Sequence, residues 1–332
     1  MTIRIECDAA ACAELWQRYR PSASIHHDWQ LRYAMASQAG IRPMFFVDDE
    51  AGTVLPSGID SQLVRFYGGR FYTELNGFIG PTGGERRIFT HLDSCHPSFR
   101  LLSWQSDPAP YLDPNLRRWD VPYQEYWSLP VLRSFDAYLD QFAPTERKDI
   151  AYLLRRFVDD SVVHTFDSGI AAEKLIAPFI DHTIQSFQRR GKSCVYEDPT
   201  FRSVATILLD CLAKSGCLRV LELRNGGEPC GLVVFADNEA ANEIVYYFNL
   251  YKPRPSGISN AGLLGLIFHA VKCGRRLDGM RGSFGLKKRY GLKPHPSYAI
   301  VRDPLWKIGG SADLDAAEKK QLYGRPFGAL PI

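Results

Sequence analysis

Two short segments of this 332-residue sequence concentrate the residue types that anion binding requires. The first, Arg254-Pro255-Ser256-Gly257-Ile258-Ser259-Asn260-Ala261-Gly262, leads from a strand pattern into a helix pattern. A helix start offers unpaired backbone N–H groups and the positive end of the helix dipole, which favour a phosphate. Gly257 and Gly262 permit a ligand to approach the backbone closely, and Lys252 and Arg254 add charge beside it. The expected phosphate-binding set is therefore Arg254, Ser256, Gly257, Ser259, Asn260, Ala261 and Gly262. Taken alone the segment also reads as an ordinary capped helix; its place after the third strand of a meander favours binding.

The second segment is Arg281-Gly282-Ser283-Phe284-Gly285-Leu286-Lys287-Lys288-Arg289-Tyr290-Gly291. Three consecutive bases beside a phosphate-binding helix start offer charge-assisted bonds to a nucleotide or carrier. A solvated basic helix closed by a glycine is the plainer alternative. On the strand Glu243 to Tyr251, strict alternation places Glu243, Val245, Tyr247 and Asn249 on one face and Tyr246, Phe248 and Leu250 on the other. If the first face lines a cleft, Tyr247 and Asn249 orient an acyl carbonyl or an acceptor; otherwise Tyr247 is a core tyrosine.

Other chemistry-bearing residues read as structural. His26-His27-Asp28 has no further ligand at metal spacing and is expected to be a helix start with exposed polar groups. His269 lies in an apolar helix and is expected to be a core histidine, and Pro81 to Glu85 is a glycine turn before a basic helix. No metal site is expected.

The elements that must position these residues follow from periodicity. In the second half, Ser134 to Val158 reads as helical segments broken near Pro144, and helices are expected over Glu173 to Arg190 and Thr200 to Lys214. Three antiparallel strands follow, Leu218 to Arg224, Cys230 to Ala236 and Glu243 to Tyr251, joined by the turn Asn225 to Glu228 and by Asp237 to Asn242. A helix capped by Ser259 or Asn260 carries a buried stripe of Leu263, Leu264, Ile267, Phe268 and Val271, then stops at Gly274. A strand around Leu277 and a last strand, Tyr298 to Arg302, complete an α+β order. The first half echoes it, with a helix over Ala9 to Tyr19 and strands at Met44 to Val47, Val64 to Tyr67 and Arg70 to Leu75. The proline-rich stretch Gln105 to Pro130 reads as the connection.

Composition narrows the function classes. With 40 Lys plus Arg against 37 Asp plus Glu, the net charge of +3 gives no global field for nucleic acid or an anionic membrane. The first twenty residues lack the apolar run of a signal peptide, and the longest apolar run, Leu263 to Val271, is far too short to span a bilayer. A cytoplasmic protein without membrane insertion is expected. Its 8 cysteines form no CxxC pair and are expected to be reduced, mostly buried thiols.

The succession LRVLELRNGGEPCGLVVF, EIVYYFNLY, SGISNAGLLGLIFHAVKCGRRLDGMRG and LKKRYG resembles the second half of GNAT-fold proteins related to the Fem peptidoglycan transferases, in particular the BioF2-like or CelD-like acetyltransferase group. The resemblance covers roughly residues 125 to 302. Lys287 and Tyr290 match that group's final Lys and aromatic; Leu286 stands where a Tyr is usual, and Leu277-Asp278-Gly279 replaces Tyr-Asp-Phe-Gly. It implies tandem GNAT-like domains with mixed, largely antiparallel sheets: a degenerate domain over 1–125, a second over 126–310, and a tail, 311–332, with the active cleft between the domains. It also implies that Lys287 lends charge to a phosphate or an oxyanion, with Tyr290 beside it.

The expected function is transfer of an acyl group from a thioester, acyl-CoA first, to an amino group of a small molecule or peptide. Aminoacyl-tRNA is the alternative donor, and a carrier protein a further one. The basic clusters Arg147 to Arg156 and Lys287 to Lys293 suit either a CoA phosphate or a tRNA acceptor end. A GNAT-fold binding protein that has lost its chemistry is the reading from another class.

Overall fold

The computed structural model describes residues 3–60, 63–68, 76–104, 120–191, 193–252, 256–281 and 285–302. The expected strand at 70–75, Arg254, Pro255, Gly282 to Phe284 and the tail 311–332 lie outside the described residues. One compact unit holds the chain up to Glu125 and the segment from Pro296; the other holds Tyr126–His295.

The first unit opens with β1 (Ile3–Glu6) and α1 (Ala9–Tyr19), where the Asp8 carboxylate accepts a hydrogen bond from the Ala11 amide at 2.9 Å. Next comes α2 (Trp29–Gln38), capped by Asp28 through the Leu31 amide at 2.7 Å. Such caps satisfy N–H groups that the helix leaves orphaned and contribute about 1 kcal/mol each. Then follow β2 (Arg42–Pro43), β3 (Phe45–Asp48), β4 (Thr53–Leu55), β5 (Ser57–Asp60) and β6 (Leu63–Phe66), paired antiparallel as β1 with β3, β3 with β4, β2 with β5 and β5 with β6. A crossover helix, α3 (Glu85–Cys95), leads to β7 (Phe99–Trp104), which runs parallel to β6.

The second unit takes up β8 (Asp120–Leu129) from Tyr126, then α4 (Phe135–Leu139) and α5 (Pro144–Phe157). Pro144 stands at the first position of α5, where its missing N–H costs nothing, and the expected break between helical segments falls just before it, after Leu139. Next are β9 (Val162–Thr165), α6 (Gly169–Gln188), α7 (Pro199–Lys214), and the antiparallel run β10 (Leu218–Asn225), β11 (Glu228–Asn238) and β12 (Glu243–Tyr251). The crossover helix α8 (Ile258–Lys272) leads to β13 (Arg276–Arg281), parallel to β12. After α9 (Gly285–Arg289) comes β14 (Lys293–Arg302), whose residues Tyr298–Arg302 pair with β7 in the first unit.

From β9 onward the second unit therefore repeats the order of the first: strand, two helices, antiparallel strands, crossover helix, parallel strand. Sequence comparison does not reveal the repeat because its constraint is pattern and handedness, which many residues satisfy. The sequence missed β9, a four-residue edge strand too short to show a period.

The second core closes between α8, α5 and one sheet face: Leu221, Leu223, Val233, Phe235, Ile244 and Leu277 pack against Leu264, Ile267, Leu154 and Phe157. The helix α8 is buried beyond the expected stripe, with Ala261, Leu266 and Ala270 fully covered and Phe268 only partly so. Burying each such Leu or Ile contributes about 1.5–3 kcal/mol, so the helix that begins the expected phosphate site is rigidly held.

Two expectations need correction. His26 and His27 are buried, not exposed: the Trp16 indole donates to the His27 carbonyl at 2.7 Å, and Arg32 donates to the His26 carbonyl at 2.6 Å. Of the cysteines, Cys12, Cys194 and Cys230 are buried while Cys7, Cys95 and Cys273 are exposed; all are free. Burial pushes the Cys12 thiol up to about 12, so it is inert as a nucleophile at neutral pH.

Candidate functional site

The site grows from one irregularity in the second unit. Strands β12 and β13 pair only through Glu243↔Arg276, Ile244↔Leu277 and Val245↔Asp278. Beyond that point β12 continues to Tyr251 and β13 to Arg281 without pairing, so the sheet offers an opening between them.

Within the opening β12 carries a bulge. Val234 faces Phe248 but Phe235 faces Tyr246, which leaves Tyr247 as the extra residue. An extra residue reverses the alternation beyond it. The expected grouping of Tyr247 with Asn249 is thereby corrected. Asn249 pairs with Val233 and Tyr246 with Phe235, and both partners belong to the core under α8. Tyr246 and Asn249 thus share the α8 face, and the Tyr246 hydroxyl donates to Asn249 Oδ1 at 2.9 Å. Tyr247 is 7% exposed. Burial pushes the Tyr246, Tyr251 and Tyr196 phenols up; neighbouring tyrosines add to it at Tyr246 and Tyr196, while Arg190 partly opposes it at Tyr251, and all three keep their protons at neutral pH.

The crossover helix begins beside this opening. Its N-cap is Gly257, at φ +90°, rather than the expected Ser259 or Asn260. A left-handed residue there strongly favours glycine, and a Cβ would also meet Leu153 Cδ2 at 3.0 Å. No side chain caps α8 and no acid occupies its first turn, so Ser256, Gly257, Ser259, Asn260, Ala261 and Gly262 form a helix start whose charge is not offset locally. Lys252 lies over the Phe179 ring at 5.5 Å, and both it and Arg156 act on the Cys230 thiol electrostatically. Arg190, which acts on the Tyr251 phenol, is a further cation near the strand end; the expected Arg254 lies outside the described residues.

The equivalent helix of the first unit, α3, is arranged the opposite way. Its own Glu85 carboxylate accepts from the Gly83 amide at 2.6 Å, and Thr53 Oγ1 accepts from the Gly84 amide at 3.0 Å. Glu85 is 5% exposed. The expected glycine turn at Pro81 to Glu85 is real, but the anion it holds is the protein's own.

The far side of the opening is the end of β13. Asp278 is buried; its Oδ1 accepts from the Met280 amide at 2.8 Å, and its Oδ2 accepts the Tyr126 hydroxyl proton. Met280 is a buried non-glycine residue at φ +61°, a conformation costing of order 1–3 kcal/mol unless its surroundings enforce it. They do: Lys287 Nζ donates to the Arg281 carbonyl at 2.6 Å and to the Met280 carbonyl at 3.3 Å. Lys287 is buried although Lys288 and Arg289, which follow it, are exposed. Nearby, Ser128 Oγ and His295 Nε2 are 2.7 Å apart. Tyr290 is buried in the second core, its carbonyl accepting from the Tyr138 hydroxyl at 3.1 Å.

The structure therefore places Asn249 and the Ser256–Gly262 helix start together and Lys287 against the end of β13, sets Tyr247 on the bulge, and buries Tyr290. Sequence reasoning missed Tyr246, Tyr126 and Asp278. Tyr126 and Asp278 are 152 residues apart, and no local pattern links them. No group of three or more His, Cys, Asp or Glu among the described residues is arranged to hold a metal, and no described helix is long and apolar enough to cross a membrane.

Residues 145–288 match the family model described as an acetyltransferase (GNAT) domain. Solved structures share the fold across nearly the whole chain. FemX superposes with a TM-score of 0.58 at 10% identity, covering 92% of this chain and 98% of that one. A conserved protein of unknown function from Bacteroides thetaiotaomicron gives 0.56 at 12%, covering 90% and 99%. L-PGS from Bacillus licheniformis gives 0.52 at 11%, covering 98% and 99%. No protein of curated function matches the sequence.

Proposed function

We propose that the chain transfers an acyl group from acyl-CoA to a primary amine, forming an amide, with the acyl donor held by the second unit. The observation that supports this most is the uncapped, acid-free start of α8 beside the opening between β12 and β13. Backbone N–H groups of Ser256–Gly262 would take the donor's phosphates, with Lys252 and Arg254 adding charge. The thioester would then enter the opening, where alignment of the reactants contributes most to the rate. The neutral amine attacks the thioester carbonyl carbon, a C–N bond forms, the C–S bond breaks, and the proton lost by nitrogen ends on the departing thiolate. Asn249, which faces α8 within the opening, contacts the donor in this scheme. Lys287 holds the β13 end and lends positive charge to the developing oxyanion, and Tyr290 packs behind it.

On the same reading residues 1–125 form a degenerate domain of the same kind, its helix start closed by Glu85. The amine is carried by a small molecule or a peptide. Aminoacyl-tRNA is the second donor to consider, because Lys148 and Arg155 on α5 and Lys288 and Arg289 on α9 expose cations beyond those near the α8 start.

The test is release of free thiol from acetyl-CoA in the presence of a panel of amino sugars, amino acids and short peptides. Amine-dependent release is expected. Binding of charged tRNA with no binding of CoA would replace the proposed donor by the second one.

A further inference from the structure

The side chain of Asn249 has one half of its amide fixed and the other half offered. Its Oδ1 accepts from the Tyr246 hydroxyl at 2.9 Å, and none of the described residues accepts from its Nδ2. The Nδ2 atom is aimed at α8: a Cβ built on Gly262 would meet it at 3.3 Å. Asn249 stands past Val245, the last β12 residue that β13 pairs with, and so within the opening. The bulge at Tyr247 is what turns Tyr246 and Asn249 to the same face, because without the extra residue a spacing of three would put them on opposite faces. Tyr246 in turn packs against the α8 core, which fixes its ring. A neutral amide donor locked in one orientation suits a carbonyl oxygen better than a phosphate, for which a cation serves.

We propose that Tyr246 is a positioning residue that locks the Asn249 amide, so that Nδ2 donates a hydrogen bond to a carbonyl oxygen on the amide-bearing arm of the acyl donor. The proposal rests on the reading of α8 as the place where a thioester donor lays its phosphates, and it adds a side-chain determinant for the arm. The arm carries amide carbonyls; the nucleotide end of the donor does not reach this contact. Gly262 fits the same account, since a methyl group there would press on Nδ2.

The experiment is calorimetric titration of two probes, CoA and adenosine 3′,5′-bisphosphate, the second lacking the arm. Against wild type both should bind. Asn249→Ala should weaken CoA about 5- to 10-fold, the size of one lost neutral hydrogen bond, and leave the bisphosphate within about twofold. Asn249→Asp, which cannot donate, should lose at least as much. Tyr246→Phe should lose about threefold, and the double variant Tyr246→Phe/Asn249→Ala should be no weaker than Asn249→Ala, since the tyrosine acts only through the amide. A merely structural tyrosine would instead add its loss to that of Asn249 and weaken both probes together. Equal CoA affinity of wild type and Asn249→Ala overturns the proposal while the donor reading stands. Parallel loss of both probes also overturns it. Absence of binding of either probe to wild type overturns the acyl-CoA reading and this proposal with it.

Discussion

Replacing Lys287 by alanine is expected to lower unfolding free energy by about 2–4 kcal/mol and transfer activity by at least tenfold. The stability loss follows from the two hydrogen bonds that its buried ammonium donates to the Met280 and Arg281 carbonyls. Bonds to a charged group contribute about 1.5–3 kcal/mol each, and removing the ammonium leaves carbonyls without that partner. The activity loss follows because those carbonyls hold Met280 left-handed at φ +61° and so fix the end of β13. Once freed, that strand end relaxes and the opening changes shape. Lys288→Ala is the control: its side chain is exposed, and the change should stay within about 0.5 kcal/mol. Urea unfolding of both variants checks the first part and thiol release the second. Unchanged stability and activity in Lys287→Ala would return the basic run to a solvated surface.

Ser259→Asp should move stability and affinity in opposite directions. An acid in the first turn of α8 interacts favourably with the helix dipole, so the fold should gain about 0.3–1 kcal/mol. The same charge set against a donor phosphate about 6 Å away costs about 3 kcal/mol at an effective dielectric constant of 20, or roughly 100-fold in affinity for CoA. Salt should narrow that loss by screening. Few substitutions separate fold from binding in this way: a variant that melts higher and binds CoA as wild type does would show that the phosphates lie elsewhere.

The parts of this fold that sequence made legible are those with strong local signals. The strand at Glu243–Tyr251 was bounded correctly by its run of β-branched and aromatic residues. Its bulge was not, because an extra residue inside a uniformly apolar run leaves no break in alternation, and Tyr247 was therefore grouped with Asn249 in place of Tyr246. The start of α8 was set two or three residues late, at Ser259 or Asn260, since both are favoured caps. Gly257 takes the position because the loop must turn left-handed against Leu153. Resemblance singles out Lys287, but its burial beside exposed Lys288 and Arg289 depends on Met280 and Arg281 turning their carbonyls toward it, a matter of backbone conformation that no residue type announces. His26 and His27 were read as exposed because nothing adjacent shows that Trp16 and Arg32 reach their carbonyls. Helix and strand content thus follows from period and caps. The site follows from departures from them, and departures are set by tertiary contacts.

Amide hydrogen exchange with and without CoA tests the central claim most directly, since that claim concerns backbone N–H groups at the start of α8. The account predicts slowed exchange across Ser256–Gly262 when CoA is present. It predicts no change across Pro81–Glu85, where the Glu85 carboxylate already accepts from the Gly83 amide. Protection at Pro81–Glu85, or CoA binding that leaves Ser256–Gly262 exchanging at the unliganded rate, would contradict it.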